Sequence, residues 1–261
     1  MIAYIVTALA IAVGIYVFRK KAAGVYCKDV VDLTGKVVVI TGGNTGLGLE
    51  TAKHLAKMKG HIIIACRNAE KAKEAVEEIK KFSKNDKVEY MLVDMSLMES
   101  IRNFVKEFEK RNLPLNVLIN NAAIVAPYQL TKEGLDIQLA TNHLGPFLMT
   151  RLLLPKLYAS KGRVVTVSSW LHTKAIFEIE KDKLSTPEHR PVDLYSNTKA
   201  MNILFTKELA KRTQGKGLTV NTLRPGMVLT SLANGMRLKA RLIFNFYAGF
   251  FGKTAEQGVQ T

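Results

Sequence analysis

Short apolar runs alternate along the chain with longer segments whose apolar residues recur at helical spacing. The apolar runs lie at residues 37–40, 61–66, 88–93, 117–119, 164–167 and 218–223. The helical segments lie near residues 46–59, 69–82, 97–111, 134–158 and 196–213. Continuous β-branched runs separated by helices are typical of a parallel sheet that helices cover on both faces. The pattern therefore predicts a doubly wound α/β domain over residues 37–261.

The start of the chain has a different pattern. Residues 1–18 carry no charged side chain, and Arg19, Lys20 and Lys21 follow at once. The apolar stretch is long enough to span a bilayer, and its positive flank lies on the side opposite to that of a cleaved signal peptide. These features favour a membrane anchor at residues 1–21 rather than a cleaved signal peptide or a buried helix. The positive-inside rule then places the linker at residues 22–36 and the following domain on the cytosolic side.

Composition narrows the classes of function. Hydrophobic residues make up 48% of the chain, which supports a large single core, and the formal net charge is +16. The Lys and Arg residues are scattered along helices without interleaved aromatics, so the charge favours an anionic lipid surface over nucleic acid. The two cysteines, Cys27 and Cys66, and the absence of a glycosylation sequon fit a cytosolic domain. The five histidines show no ligand spacing, so we expect no metal.

Residues 41–48, TGGNTGLG, form a glycine-rich turn between the first apolar run and the first helical segment after it. Gly42, Gly46 and Gly48 stand where side chains would obstruct a close ligand, and a helix N-terminus favours an anion. The spacing differs from the commoner G-x-G-x-x-G fingerprint, but the strand–helix–strand context supports the same use. The turn therefore predicts a site for a pyrophosphate.

Four further residues bear on the binding of a dinucleotide. Arg67 follows the second run, where an NAD-binding sheet usually places an acid, so it favours the 2′-phosphate of NADP over a role as an exposed loop residue. Asp94 ends the third run and either hydrogen-bonds the adenine or caps the helix predicted from near Ser96. Asn121 and Ala122 follow the fourth run, where the backbone could approach a flat ring.

The candidate chemistry lies in YSNTK, residues 195–199. The i,i+4 spacing places Tyr195 and Lys199 on one helix face, where an ammonium would favour the tyrosinate and produce an acid/base active near neutrality. Taken alone, the pair could also be an incidental helix surface. However, the fifth run ends in Ser168 and Ser169, at the edge where open α/β sheets bind ligands.

These motifs, with NNAA at 120–123, NHLG at 142–145 and RPG at 224–226, follow one order along the chain. The chain resembles the short-chain dehydrogenase/reductase family over residues 37–261, and within it the membrane-anchored retinol dehydrogenase branch. The resemblance implies a Rossmann-type sheet and hydride transfer between a nicotinamide and an alcohol or carbonyl. It also implies that the segment at 237–251 contributes to a substrate lid, although its basic and aromatic composition equally suits a lipid surface.

The resemblance assigns a role to each catalytic candidate. Tyr195 is the general acid/base, Lys199 binds the nicotinamide ribose and lowers the pKa of Tyr195, and Ser169, rather than Ser168, orients the substrate oxygen. Asn142 holds a water that joins Lys199 to a proton relay. The predicted cofactor contacts are Gly42, Asn44, Thr45, Gly46, Leu47, Gly48, Arg67, Asp94, Asn121, Ala122, Tyr195, Lys199, Pro225 and Gly226.

The chain departs from the family pattern at three points. The interval of 26 residues from Ser169 to Tyr195 is longer than in the shortest members and resembles an insertion of the retinol dehydrogenase branch. Ala123 stands where many relatives have glycine, and the chain stops at Thr261 where relatives continue through a helix and a last strand, which we therefore expect to be missing.

The leading expectation is an NADP(H)-dependent oxidoreductase of a hydrophobic alcohol or carbonyl, a retinoid first and a steroid or other lipid carbonyl second. A catalytically silent, membrane-tethered nucleotide-binding protein is the alternative from another class. We expect attachment to the endoplasmic reticulum membrane and consider a homo-oligomer.

Overall fold

The computed structural model describes residues 1–23, 26–27, 29–176, 185–228, 232, 242, 246–250 and 252–260. The strands are β1 (Val37–Thr41), β2 (His61–Cys66), β3 (Val88–Leu92), β4 (Val117–Asn120), β5 (Arg163–Val167) and β6 (Thr219–Leu223). The helices are α1 (Ile2–Ala23), α2 (Gly46–Lys57), α3 (Ala69–Ser83), α4 (Met98–Lys110), α5 (Ile137–Leu139), α6 (Gly145–Ala159), α7 (Pro191–Arg212) and α8 (Ala255–Gly258). A π-helical turn, Ala140–Leu144, joins α5 to α6, and a 3₁₀ turn, Trp170–Lys174, follows β5.

The strands form one parallel sheet in the order β3-β2-β1-β4-β5-β6. The order reverses between β1 and β4, where Ile40 pairs with Ile119. Since all strands run the same way, the carboxyl ends of β1, β4, β5 and β6 lie at one edge, where such sheets bind their ligands. The predicted Rossmann-type, doubly wound fold is confirmed.

Successive side chains of β1 point to opposite faces of the sheet, and different helices cover each face. Val37 and Val39 belong to a core that β1 shares with α4 and α6. Val38 and Ile40 belong to a second core, shared with α2 and α3. All four of these side chains are buried, as expected of a central parallel strand, because helices pack on both of its faces.

Two helices differ from their sequence-based prediction. The segment expected as one helix near 134–158 runs from Ile137 to Ala159 and is interrupted by the π turn, which widens the helix around Asn142. Helix α7 begins at Pro191 rather than near 196, because proline at the first helical position already has the required φ. Tyr195 is therefore inside the helix.

The predicted membrane anchor lies within α1, a helix that exposes large apolar side chains, among them Tyr4, Leu9 and Tyr16. Among the described residues, no helix combines the length and the apolarity needed to cross a membrane, and the anchor at residues 1–21 stays a prediction. The predicted lid segment at 237–251 lies largely outside the described residues, which include only 242 and 246–250 of it.

Candidate active site

The glycine turn between β1 and α2 is built for close backbone packing. Gly42 and Gly46 have φ values of +66° and +54°, in the left-handed region that L side chains rarely adopt. A Cβ on Gly48 would overlap the carbonyl oxygen of Gly42, and one on Gly42 would lie 3.0 Å from the Cα of Ala122. Residues with side chains cannot replace glycine there without moving the turn.

Asn121 braces this turn from the neighbouring strand. Its Nδ2 donates to the carbonyl oxygens of Thr41 and Gly42, at 2.9 and 3.2 Å. The Thr41 hydroxyl oxygen accepts from the backbone N–H groups of Asn121 and Ala122, both at 3.0 Å. The side chain of Asn121 thus holds the glycine turn in shape, and its predicted contact with a cofactor stays a prediction.

Helix α2 points its N-terminus at the same edge. Its N-cap residue, Thr45, has extended backbone angles, and its side chain makes no capping hydrogen bond. The turn residue Asn44, the first N–H groups of α2, that of Leu47 among them, and the helix dipole together fit an anionic pyrophosphate. The glycine cradle and the helix N-terminus thus fit the dinucleotide that the sequence predicted.

Arg67 lies beside the glycine turn. The Gly42 N–H donates to the Ala65 carbonyl oxygen at 2.8 Å, which places the end of β2 next to the turn. Arg67 follows two residues later with an exposed side chain, just before the α3 N-cap Asn68. The position suits a cation that reaches the ribose end of a dinucleotide.

Asp94 does not cap a helix, so that alternative was wrong. Its Oδ1 accepts from the Ser96 N–H and hydroxyl, at 2.9 and 2.6 Å, in a local turn. Helix α4 begins at Met98, and the Glu133 carboxylate accepts from the N–H groups of Met98 and Glu99, at 2.8 and 3.1 Å. Sequence reasoning missed Glu133, because this cap comes from a distant loop rather than from the residues before the helix.

Tyr195 and Lys199 lie together on the buried face of α7, as their spacing predicted. Only 5% of Tyr195 and 2% of Lys199 is exposed. The Lys199 Nζ lies 5.4 Å from the centroid of the Tyr195 ring and donates to the Val167 carbonyl oxygen at 2.8 Å. The pair therefore sits at the carboxyl end of β5.

Burial controls the charge of both groups. It raises the pKa of Tyr195 to about 12, although a hydrogen bond with Ser169 acts in the opposite direction. Burial also lowers the pKa of Lys199 to about 8. The spacing of the two residues predicted that the ammonium would lower the pKa of Tyr195. In this structure burial moves the pKa of Tyr195 the other way, because desolvation disfavours the charged form of each side chain.

The two serines after β5 have different surroundings. The Ser168 hydroxyl is buried and donates to the Lys199 carbonyl oxygen at 2.9 Å. The Ser169 hydroxyl hydrogen-bonds with Tyr195 and also accepts from the Leu171 N–H at 3.2 Å. The structure thus brings Ser169, the serine favoured from the sequence, to the tyrosine, while Ser168 ties β5 to α7.

Asn142 is fully buried in the π turn. Its Oδ1 accepts from the Ile124 N–H at 2.8 Å, and its Nδ2 donates to the Ile124 carbonyl oxygen at 2.9 Å and to the Thr198 hydroxyl at 3.2 Å. The Thr198 hydroxyl in turn donates to the Tyr195 carbonyl oxygen at 2.7 Å. Asn142 is therefore linked to Tyr195 through Thr198, and the predicted water between it and Lys199 stays a prediction.

Pro225 and Gly226 complete the edge after β6. Pro225 is buried, and Gly226 has a φ of +87°, so the chain turns sharply there. The Ser168 N–H donates to the Leu223 carbonyl oxygen at 2.8 Å, which holds the end of β6 beside the serines.

Comparison with known proteins agrees with this arrangement. The profile of the family described as short chain dehydrogenase matches residues 36–181. The chain is 42% identical over 245 residues to human retinol dehydrogenase 12, covering 93% of this chain and 77% of that protein. It is 39% identical to human polyprenol dehydrogenase, covering 87% of this chain and 71% of that protein. The chain belongs to the short-chain dehydrogenase family.

A solved member of this family has a similar fold. A Caenorhabditis elegans short-chain dehydrogenase/reductase of unknown function, crystallised with cofactor, aligns with a TM-score of 0.69 and 28% identity. The alignment covers 86% of this chain and 85% of that one. The resemblance that the motifs suggested is confirmed, and it supports an oxidoreductase that binds a nicotinamide dinucleotide.

Other features of this dehydrogenase were not visible in the sequence. Gln138 is buried and donates to the carbonyl oxygens of Ala126 and Pro191, at 2.6 and 3.1 Å, which fixes the loop after β4 on the start of α7. Thr198 lies inside the YSNTK motif, and that position was the one signal that could have identified it. Within the described residues, no group of three His, Cys, Asp or Glu side chains could hold a metal ion.

Proposed function

We propose that this protein is an NADP(H)-dependent oxidoreductase that interconverts a hydrophobic alcohol and its carbonyl, a retinoid being the leading substrate class. One observation carries the proposal. Tyr195, with its hydroxyl hydrogen-bonded to Ser169 and its ring next to Lys199, lies at the same sheet edge as the glycine turn. A proton donor and a dinucleotide cradle at one edge are what a carbonyl reductase needs.

Each residue of the site has its own role in the proposed reaction. When bound, the nicotinamide supplies the hydride for reduction or accepts it in oxidation. Tyr195, neutral because burial raises its pKa to about 12, gives its hydroxyl proton to the carbonyl oxygen, and Ser169 donates a second hydrogen bond to that oxygen. In the oxidising direction Lys199 would stabilise the tyrosinate, since a cation within a few ångströms favours the anion.

The substrate class rests on the named relatives. Retinol and polyprenol, the alcohols in two of their names, are both long isoprenoid alcohols with a terminal hydroxyl. The similarity to retinol dehydrogenase 12 makes a retinoid the first candidate. The similarity to polyprenol dehydrogenase makes a longer lipid carbonyl the second. Steroid carbonyls remain the comparison class.

The deciding experiment uses the purified full chain with NADPH. It follows NADPH absorbance with all-trans-retinal, a polyprenal, a steroid ketone and a short aliphatic aldehyde. We expect kcat/KM to be highest for retinal. A highest value for polyprenal or steroid would replace the retinoid assignment. NADPH binding without turnover of any carbonyl would instead support the silent nucleotide-binding protein.

Preference for NADP is proposed to depend on Arg67. We expect Arg67→Asp to lower the ratio of kcat/KM with NADPH to kcat/KM with NADH by about tenfold or more, because charged hydrogen bonds contribute about 1.5–3 kcal/mol. An acid repels the 2′-phosphate but accepts a hydrogen bond from the ribose hydroxyl. Arg102→Asp, an equal charge change at an exposed position on α4, is the control. An unchanged ratio in the Arg67 variant would place phosphate recognition elsewhere.

Attachment to the cytosolic face of the endoplasmic reticulum membrane is proposed to depend on α1. Tyr4 is 83% exposed, Leu9 60% and Tyr16 66%, so α1 carries large apolar side chains that the domain leaves uncovered. We expect the full chain to stay in the microsomal pellet after a high-salt wash and a chain lacking residues 1–23 to be released.

Orientation at the membrane has its own readout. Protease added to intact microsomes should digest the catalytic domain. Protection that disappears only after detergent treatment would place the domain in the lumen, and release of the full chain by salt alone would contradict attachment through α1.

A further inference from the structure

The side-chain amide of Asn202 joins α7 to two consecutive residues of the π turn. Asn202 is 2% exposed, and its Nδ2 donates to the Asn142 carbonyl oxygen at 2.9 Å. Its Oδ1 lies 3.0 Å from the Nδ1 of His143. Asn202 is one helical turn beyond Thr198, which accepts from the Asn142 side chain at 3.2 Å. Asn142 is thus held from α7 at both its backbone and its side chain.

The π turn needs such outside contacts. Its closing bond runs from the Gly145 N–H to the Ala140 carbonyl oxygen, five residues earlier. A π turn interrupts the regular i to i−4 pattern, so its hydrogen bonding differs from that of the helix around it, and such turns occur mostly at functional sites. The amide of Asn202 supplies a donor to the carbonyl of Asn142 within this turn.

The Asn142 carbonyl fixes which way the Asn202 amide faces, and His143 supplies the matching donor on the other side. With Nδ2 donating to the Asn142 carbonyl, Oδ1 must face His143, so the His143 Nδ1 carries the proton and donates. Burial lowers the pKa of His143, although its hydrogen bond with Asn202 acts in the opposite direction, so the ring is neutral at pH 7. The ring lies beside Phe147 and Phe205, each 6.4 Å away between centroids.

We propose that Asn202 is a positioning residue for the proposed reaction. It fixes the π turn against α7, so that Asn142, acting through Thr198, holds Tyr195 in place for proton transfer, and His143 holds the Asn202 amide in the required orientation. This role rests on the proposed oxidoreductase function. Asn202 and His143 act in it as positioning residues, through Asn142 and Thr198.

The first test compares Asn202→Leu with Thr206→Val. Leucine matches asparagine in size but removes both hydrogen bonds. Thr206 is a matched control, because it is 4% exposed on the same helix and its hydroxyl donates to the Asn202 carbonyl oxygen at 2.8 Å without touching the π turn. We expect Asn202→Leu to lower kcat for the carbonyl about tenfold to a hundredfold, since small misplacements of reacting groups cost that much, with the Kd of NADPH and the substrate KM within twofold. Thr206→Val should keep kcat within twofold.

Two substitutions of His143 separate its hydrogen bond from its bulk. His143→Phe keeps a ring but removes the donor, and we expect it to lower kcat in the same direction as Asn202→Leu. His143→Asn places an amide nitrogen where the His143 Nδ1 stands, so its kcat should be close to that of the wild-type protein. Equal kcat values for both His143 variants would remove His143 from the proposal.

Hydrogen–deuterium exchange gives a readout that does not depend on turnover. We expect the amides of residues 140–147 to exchange at least tenfold faster in Asn202→Leu than in the wild-type chain, and at the wild-type rate in Thr206→Val. Wild-type kcat and exchange in a correctly folded Asn202→Leu protein would overturn the proposal, as would a lower melting temperature without loss of kcat.

The two proposals can fail separately. If the wild-type chain reduces no carbonyl, the proposed function fails, and the exchange rates alone decide whether Asn202 holds the π turn. If the wild-type chain is active and Asn202→Leu matches it, only the positioning role fails.

Discussion

Replacing Tyr195 with phenylalanine is expected to lower kcat/KM for carbonyl reduction by about a thousandfold, because a positioned general acid contributes roughly 10²–10⁴ to the rate. The substitution removes only the hydroxyl. The ring, 5% exposed on α7, stays packed, and the glycine turn is unchanged. The Kd of NADPH should therefore stay within about twofold of the wild-type value, since no binding contact of the cradle is lost.

Steady-state kinetics and NADPH fluorescence titration check this result together. Tyr158→Phe is a suitable control, because Tyr158 is a partly buried tyrosine on α6 that packs against the core shared with α4. It should retain wild-type kcat/KM. Near-normal turnover by Tyr195→Phe would remove Tyr195 from the mechanism, whereas loss of NADPH binding would point to a structural role instead.

Replacing Lys199 with methionine is expected to abolish measurable turnover and, at the same time, to stabilise the fold. The Lys199 side chain is 2% exposed, and burial lowers its pKa from 10.5 to about 8. Holding this ammonium in the protein at pH 7 therefore costs about 3 kcal/mol, at 1.36 kcal/mol for each pKa unit. Methionine has a similar length without the charge, so it removes that cost, and the lost hydrogen bond to the Val167 carbonyl oxygen offsets only part of the gain.

The stabilisation expected from Lys199→Met depends on pH. Between about pH 8 and pH 10.5 the unfolded chain still binds the Lys199 proton while the folded chain has released it. In this pH range the contribution of Lys199 to the free energy of unfolding of the wild-type protein rises with pH, because the unfolded state binds more protons than the folded state. The advantage of Lys199→Met should be full below about pH 8 and should disappear as the pH approaches 10.5.

Urea unfolding at pH 7 and at pH 10 measures this directly. We expect a higher midpoint for Lys199→Met at pH 7 and a smaller difference at pH 10. The substitution Lys156→Met, which removes a partly buried lysine that donates to the Leu113 carbonyl oxygen, is the control and should not raise the midpoint. A Lys199→Met protein less stable than the wild type at pH 7 would contradict the cost assigned to the buried ammonium.

The centre of the sheet could be predicted from the sequence because β1 and β2 are buried on both faces. Residues 37–40 and 62–66 are unbroken apolar runs, and the predicted bounds of both strands lie within one residue of the structure. The π turn could not be predicted in this way. It depends on contacts of Asn142 with Ile124 and Thr198, which are 18 and 56 residues away along the chain.

The candidate site shows the same division. The i,i+4 spacing was enough to place Tyr195 and Lys199 side by side, because it depends only on local helix geometry. The direction of their pKa shifts was not accessible, since it depends on how deeply tertiary packing buries each group. Glu133 was likewise out of reach, because it caps α4 from 35 residues away.

The two cores also set an order of events during synthesis. Apart from Ile119, every buried residue of the core that β1 shares with α2 and α3 lies between Val38 and Val88. This part of the chain leaves the ribosome before Tyr195 is made, and its contacts are short in sequence, so we expect it to collapse before α7 is available. Until β4 arrives, one edge of the central strand β1 has no partner. The nascent protein therefore passes through a stage with an open, apolar strand edge, and chaperones that shield such edges should increase its yield.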